Sequence, residues 1–154
     1  MDYMFSECNN LKSIELPLEG NKDSDCFKLY FADTGLLICQ LEDGIQKRVL
    51  DDDLKIYKGA VYENIVADAF WKSDKNLYYY RKSSGLEIDF VTKVNDELSI
   101  IEAKAKGGRS KSMNEVLNNS DKYDVQHAYK LENSNINVID KKVVLPQYMV
   151  YLLK

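Results

Sequence analysis

The chain has 154 residues, 45% of them hydrophobic and 30% charged, and a formal net charge of −4. That length suffices for one domain with a real hydrophobic core, and the composition is ordinary for a soluble globular protein. The acidic balance argues against a protein that coats nucleic acid indiscriminately, while leaving room for a local basic groove.

In chain order, Met1 to Asn10 carries no helix signal and holds apolar residues that call for a partner. Ser13 to Leu18 is expected as a short strand stopped by Pro17, and Glu19 to Asp25 as a polar loop. Phe27 to Ala32 reads as a strand. Asp33-Thr34-Gly35 reads as a turn or helix start leading into Leu36 to Leu41, and Glu42 to Lys55 as a loop with helical pieces. Lys58 to Lys72 is the clearest helix. At about 100° per residue, Val61, Tyr62, Ile65, Val66, Ala69 and Phe70 form one apolar arc, with Glu63 at its edge. A Glu at such a boundary is ordinarily a half-exposed surface residue, but here a carboxylate hairpin follows it.

After a strand from Leu77 to Arg81, Leu86 to Val94 and Glu97 to Lys104 alternate apolar and polar residues, with Asn95-Asp96 between them as a tight turn. If those two residues make the turn, Val94 faces Glu97, Asp89 faces Glu102 and Glu87 faces Lys104. Alternation then puts Glu87, Asp89, Val91, Ile100, Glu102 and Lys104 on one face, and Ile88, Phe90, Ile101 and Ala103 on a core face. Facing carboxylates destabilise a sheet unless a cation bridges them. Hard oxygen ligands of this kind suit Mg²⁺ or Mn²⁺. A second reading is a solvated face on which Lys104 neutralises Glu87 and Asp89 meets water.

The segment from Lys104 to Lys111 holds Lys104, Lys106, Arg109 and Lys111 with two glycines and no acid. With Arg81 and Lys82 it could grip a phosphodiester backbone, or it could be a solvated loop. Ser112 to Asn119 reads as a helix capped by Ser110 or Ser112. Tyr123 to Leu131 and Ile136 to Leu145 read as further strands, and Gln147 to Leu153 as a closing one. Tyr78-Tyr79-Tyr80 could stack on bases, though strand geometry favours core or edge filling. Three cysteines (Cys8, Cys26 and Cys39) without metal-type spacing point to reduced thiols, and a single histidine, His127, argues against zinc. With no membrane-length apolar run and no signal-peptide pattern, a cytoplasmic protein without membrane contact is expected. No G-x-x-x-x-G-K-[ST] loop is present, so the chain is not itself an ATPase.

Helix with Glu63, strand, Asp89, then Glu102-Ala103-Lys104 resembles the PD-(D/E)XK nuclease superfamily, whose restriction-endonuclease-like fold is an α/β domain with an α-β-β-β-α-β core around a mixed sheet. The blocks LKSIELPLEGNKDSDCFKLYFADTGLL, GAVYENIVADAF, LYYYRKSSGLEIDFV and IEAKAKGGRSKSMNEVL are similar to a bacterial and archaeal family in which a domain of uncharacterised function follows an AAA-type ATPase module. The resemblance implies a single nuclease-like domain over residues 1–154, forming the C-terminal part of a longer ATPase-containing protein. It implies Asp89 and Glu102 as metal ligands, with the carbonyl of Ala103 as a third and Glu63 as an additional one. Lys104 would orient or polarise the attacking water. The usual residue between the acid and the lysine is bulkier than Ala103, a minor departure because the backbone would face the metal. The expected activity is Mg²⁺- or Mn²⁺-dependent cleavage of DNA. The alternative is a non-cleaving nucleic-acid-binding or regulatory module of the ATPase, against which Met1, Tyr3, Met4 and Phe5 would pack.

Overall fold

One eight-stranded mixed sheet organises the computed structural model, which describes residues 4–53, 57–105 and 107–153. The strands are β1 (Phe5–Leu11), β2 (Lys22–Phe31), β3 (Tyr78–Arg81), β4 (Glu87–Val94), β5 (Glu97–Ala103), β6 (His127–Glu132), β7 (Asn137–Ile139) and β8 (Lys142–Pro146). Their order across the sheet is β2-β1-β3-β4-β5-β6-β8-β7. β3, β4 and β5 form an antiparallel meander, whereas β5–β6, β6–β8 and β1–β3 are parallel. The helices are α1 (Thr34–Gln40), α2 (Ile45–Leu50), α3 (Lys58–Trp71) and α4 (Lys111–Asn118).

The sheet separates two cores. On one face α3 packs Val66, Ala67, Ala69 and Phe70 against Cys8, Tyr79, Phe90 and Ile101. On the other, Met113 and Val116 of α4 meet Tyr80, Ile88, Val91, Ile100 and Ala128. The outer side of α3 holds a smaller cluster, with Ile45 and Val61 buried and α1 residues Leu37 and Ile38 packed on them. Asn64 fixes α3 to the end of β2: its Oδ1 accepts from the Phe31 N–H at 2.8 Å, and its Nδ2 donates to the Phe31 carbonyl at 3.1 Å. Asp33 caps α1 by accepting from the backbone N–H groups of Gly35 and Leu36.

The β4–β5 hairpin has the expected register, from Val94 opposite Glu97 to Phe90 opposite Ile101. Asn95 and Asp96 adopt φ of 52° and 64°, as a two-residue turn with left-handed central positions requires.

Phe5–Leu11, to which the sequence assigned no element, is an interior strand whose Ser6 and Asn9 are buried. Four expectations need correction. Ser13 to Leu18 forms no strand because Asn21 donates to the Glu15 and Pro17 carbonyls and accepts from the Ser13 hydroxyl, tying the segment into a loop. The polar stretch after it is a 3₁₀ turn (Leu18–Asn21) and the start of β2, whose residues 24–26 bulge out where pairing jumps from Asn9–Phe27 to Asn10–Asp23. The span from Tyr123 to Leu145 contributes three strands, because β6 begins only at His127 and Asp140, with φ 53°, turns β7 back onto β8. Gln147–Leu152 is a 3₁₀ helix: Pro146 ends β8, Gln147 donates to the Tyr62 carbonyl and Val150 enters the core.

Candidate functional site

A register shift between β3 and β4 decides how the hairpin presents its acids. Tyr78 pairs with Val91, but Tyr80 pairs with Ile88, so Asp89 and Phe90 together oppose the single residue Tyr79. This bulge breaks the simple alternation expected for β4. Ile88 joins the α4-side core with Val91, while Phe90 joins the α3-side core. The expected grouping of Ile88 with Phe90, Ile101 and Ala103 is therefore corrected. Regular pairing ends at Phe90–Ile101, and the Asp89 Oδ2 instead accepts the Ala103 backbone N–H at 3.0 Å.

Asp89 is half-buried, and its carboxyl is pushed up to about 7. Burial is the main cause and the Glu63 charge the next; the Ala103 N–H and Lys104 oppose them, and Glu102 adds a smaller push upward. The acid that acts most strongly on Asp89 is thus Glu63 from α3. Glu63 Oε2 accepts from the Tyr30 hydroxyl at 3.1 Å and lies 3.9 Å from Lys28 Nζ. Burial and the Glu63 charge raise the Tyr30 phenol well above its ordinary value.

Glu102 is almost fully buried. Its Oε1 lies 2.9 Å from Lys104 Nζ, and its Oε2 has no hydrogen-bond partner among the described residues. Burial works against the Lys104 ammonium, but the bond to Glu102 and the charges of Glu102, Asp89 and Glu63 outweigh it and raise its pKa. Glu87 does not pair with Lys104 as expected. It accepts from Lys28 Nζ at 2.9 Å, lies 3.9 Å from Arg81 Nε, and is held below its ordinary range mainly by Lys28.

Three acids, Glu63, Asp89 and Glu102, and two cations, Lys28 and Lys104, thus act on one another at one end of the sheet. Lys28 and Tyr30 went unnoticed in the sequence. Their signal is there: in FKLYF they are two residues apart and so share a strand face.

The donor set is chemically suited to a hard divalent cation: carboxylate oxygens, one of them buried without a partner. Among the described residues, however, no three His, Cys, Asp or Glu side chains converge closely enough to hold a metal. The fit therefore rests on Asp89 with one neighbouring acid, the rest of the shell being left to backbone oxygen or water. Two clefts of about 470 and 510 Å³ lie elsewhere, and none of the three acids lines either.

Among the basic candidates, Arg109 and Lys111 are exposed, and Lys106 lies outside the described residues. Their loop is anchored by Lys130, buried in β6, which donates to the Gly108 carbonyl at 2.8 Å and pairs with Glu132 at 2.6 Å. Lys82 donates to the Tyr123 hydroxyl at 3.1 Å. The three consecutive tyrosines, Tyr78 to Tyr80, are buried, which leaves them to the core rather than to base stacking. Among the described residues no helix is long and apolar enough to cross a membrane. Met4 and Phe5 are exposed; Met1 and Tyr3 lie outside the described residues.

Residues 58–149 match the model of DUF4143, a domain of unknown function often found after AAA ATPase modules. No curated protein and no solved structure matches the chain.

Proposed function

The chain belongs to the DUF4143 family, and from that premise we propose that it is a metal-dependent phosphodiesterase domain acting on DNA. The observation that supports this most is the electrostatic state of Asp89. A half-buried carboxyl is pushed up to about 7 by burial and by Glu63, with Lys104 beside it. A fold that brings such acids together loses stability unless a cation relieves them. The element order α3-β3-β4-β5-α4-β6, with β5 and β6 parallel, supports a restriction-endonuclease-like reading of the core.

Asp89 would hold Mg²⁺ or Mn²⁺ together with Glu63 or Glu102. A bound divalent ion supplies Lewis acidity toward a phosphoryl oxygen and lowers the pKa of a coordinated water. Lys104 contributes fixed positive charge where the transition state gains negative charge, and it orients a water by hydrogen bonding. The Ala103 N–H holds Asp89 in place. Lys28 and Tyr30 restrain Glu63, and the loop pinned by Lys130 carries Arg109 toward the same end of β5.

The second reading, a binding or regulatory module that does not cut, is favoured by the ion pair that occupies Glu102 and by the lack of a converging three-acid group among the described residues. On either reading an attached ATPase module would pack against the apolar surface that exposes Met4, Phe5, Phe27 and Leu29.

Incubation of nicked, branched and linear DNA with Mg²⁺ or Mn²⁺ separates the two. Phosphodiesterase function predicts metal-dependent cleavage that falls at least a hundredfold in Asp89→Asn and in Lys104→Ala. Cleavage unchanged in both variants, or no cleavage by the wild type with either metal, sinks the catalytic reading.

A further inference from the structure

On the α4 side of the sheet, Tyr80 and Tyr123 form with two lysines a cluster that the carboxylate site does not use. Lys82 Nζ donates to the Tyr123 hydroxyl at 3.1 Å and stands 5.6 Å from the ring centres of both Tyr80 and Tyr123. Lys122 Nζ lies 5.4 Å from the Tyr123 ring, and the two rings meet edge to face at 6.1 Å. Two ammonium groups are therefore gathered on one phenol.

No carboxylate takes part. Burial pushes the Tyr123 phenol up, but Lys82, Tyr80 and the Lys122 charge outweigh it and leave its pKa below the ordinary value. Elsewhere among the described residues, lysines that meet aromatic rings also meet an acid: Lys28 pairs with Glu87, and Lys58 with Asp52. Lys82 and Lys122 have no such ion pair among the described residues. Two like charges held together without a counter-charge are stabilised by an anion.

We propose that Lys82, Lys122 and the Tyr123 hydroxyl bind a phosphodiester group of a DNA strand whose neighbouring phosphates lead to the carboxylate site. The inference rests on the phosphodiesterase reading for its choice of polymer. Three features support a strand over a small anion. Tyr80 and Tyr123 are buried, so their rings offer no face to a base and the contact reads backbone alone. Lys122 is exposed and Lys82 half-exposed, so the site is a shallow surface suited to a chain passing over it. Finally, the Lys82 N–H donates to the Leu86 carbonyl at the mouth of the β3–β4 turn. Asp89 lies three residues further along β4, about 10 Å at strand rise. Arg81, next to Lys82 in the chain, is exposed and adds a further positive charge, 3.9 Å from Glu87.

The test is anisotropy of a labelled single-stranded oligodeoxynucleotide, titrated in EDTA so that cleavage plays no part, at several salt concentrations. The wild type is expected to bind, and Lys82→Gln/Lys122→Gln to bind at least tenfold more weakly, with a salt slope shallower by about one to two. Tyr123→Phe should weaken binding by a few-fold, and thermal melting of each variant checks that it is folded. Unchanged affinity and slope in a folded double variant overturn the proposal, as does a wild type that does not bind. Full competition by millimolar inorganic phosphate, with no gain for the oligonucleotide over phosphate, overturns the strand in favour of a small-anion site. Metal-dependent cleavage that ignores both lysines would leave the catalytic reading standing and remove this one. Binding without cleavage would do the reverse.

Discussion

Burial and the Glu63 charge work against the Asp89 carboxylate, and this has a measurable consequence for stability. Its carboxyl is pushed from an ordinary 3.8 to about 7 in the fold. Between those values the folded chain keeps a proton that the unfolded chain has released, so stability falls as pH rises through that window. Above about pH 7 the full penalty remains, on the order of a few kcal/mol. Asp89→Asn removes the charge and keeps an oxygen to accept the Ala103 N–H. In EDTA the variant should therefore melt several degrees above the wild type at pH 8 and close to it at pH 4. Scanning fluorimetry at the two pH values checks this; a difference that is the same at both would mean that Asp89 is not the strained group. The sequence made Asp89 and Glu102 visible as acids near a turn, and the turn set the register as far as Phe90 opposite Ile101, one pair short of them. It could not reveal that Glu63, 26 positions earlier on another element, presses on Asp89 more than Glu102 does. That ranking depends on a bulge that alternation alone cannot detect.

The β4–β5 hairpin is the element whose sequence was most informative. Its strands alternate, and its two turn residues belong to the few types that tolerate positive φ. Both Asn95 and Asp96 adopt it, at 52° and 64°. Asp at the second of these positions still suffers contacts with its Cβ that glycine lacks. The Asp96 side chain is fully exposed and its approach to Lys93, at 3.9 Å, contributes little. Asp96→Gly should therefore raise stability by about 0.5 kcal/mol, the relief of left-handed strain slightly exceeding the added freedom of the unfolded chain. Urea denaturation resolves this, and a destabilised variant would show that the side chain has a role in the turn. β1 and the start of β2 were illegible for the opposite reason. Buried Ser6 and Asn9, and the bulging Ser24-Asp25-Cys26, interrupt the apolar rhythm that marks strands, while tertiary pairing still recruits them. The last segment misled through its apolar content: Gln147 to Leu152 resembles a strand by composition, but beyond Pro146 it no longer pairs with the sheet.

At the scale of the molecule, the two cores share one sheet, and adjacent residues of β5 face opposite ways: Ile100 into the α4 side and Ile101 into the α3 side. A defect in either core is thus transmitted to the same strand. The cluster outside α3 is different. α1 buries no residue fully, α2 buries only Ile45, and both are tied to α3 through half-buried side chains such as Leu37, Ile38 and Val49. α3 keeps its own grip on the sheet through Val66, Ala67, Ala69 and Phe70 and through the bonds from Asn64 to Phe31. Few buried contacts mean a low free energy of local opening. The α1–α2 pair should therefore open without the rest, leaving Glu63 in place beside Tyr30 and Lys28. Hydrogen exchange followed by mass spectrometry is expected to find residues 34–50 losing protection well before α3 and β5. Equal protection across all three would mean that α1 and α2 belong to the cooperative core, in which case any change there would also disturb the carboxylates. The predicted order of exchange makes the helix pair a part of the domain able to open while Glu63 and Asp89 hold their positions.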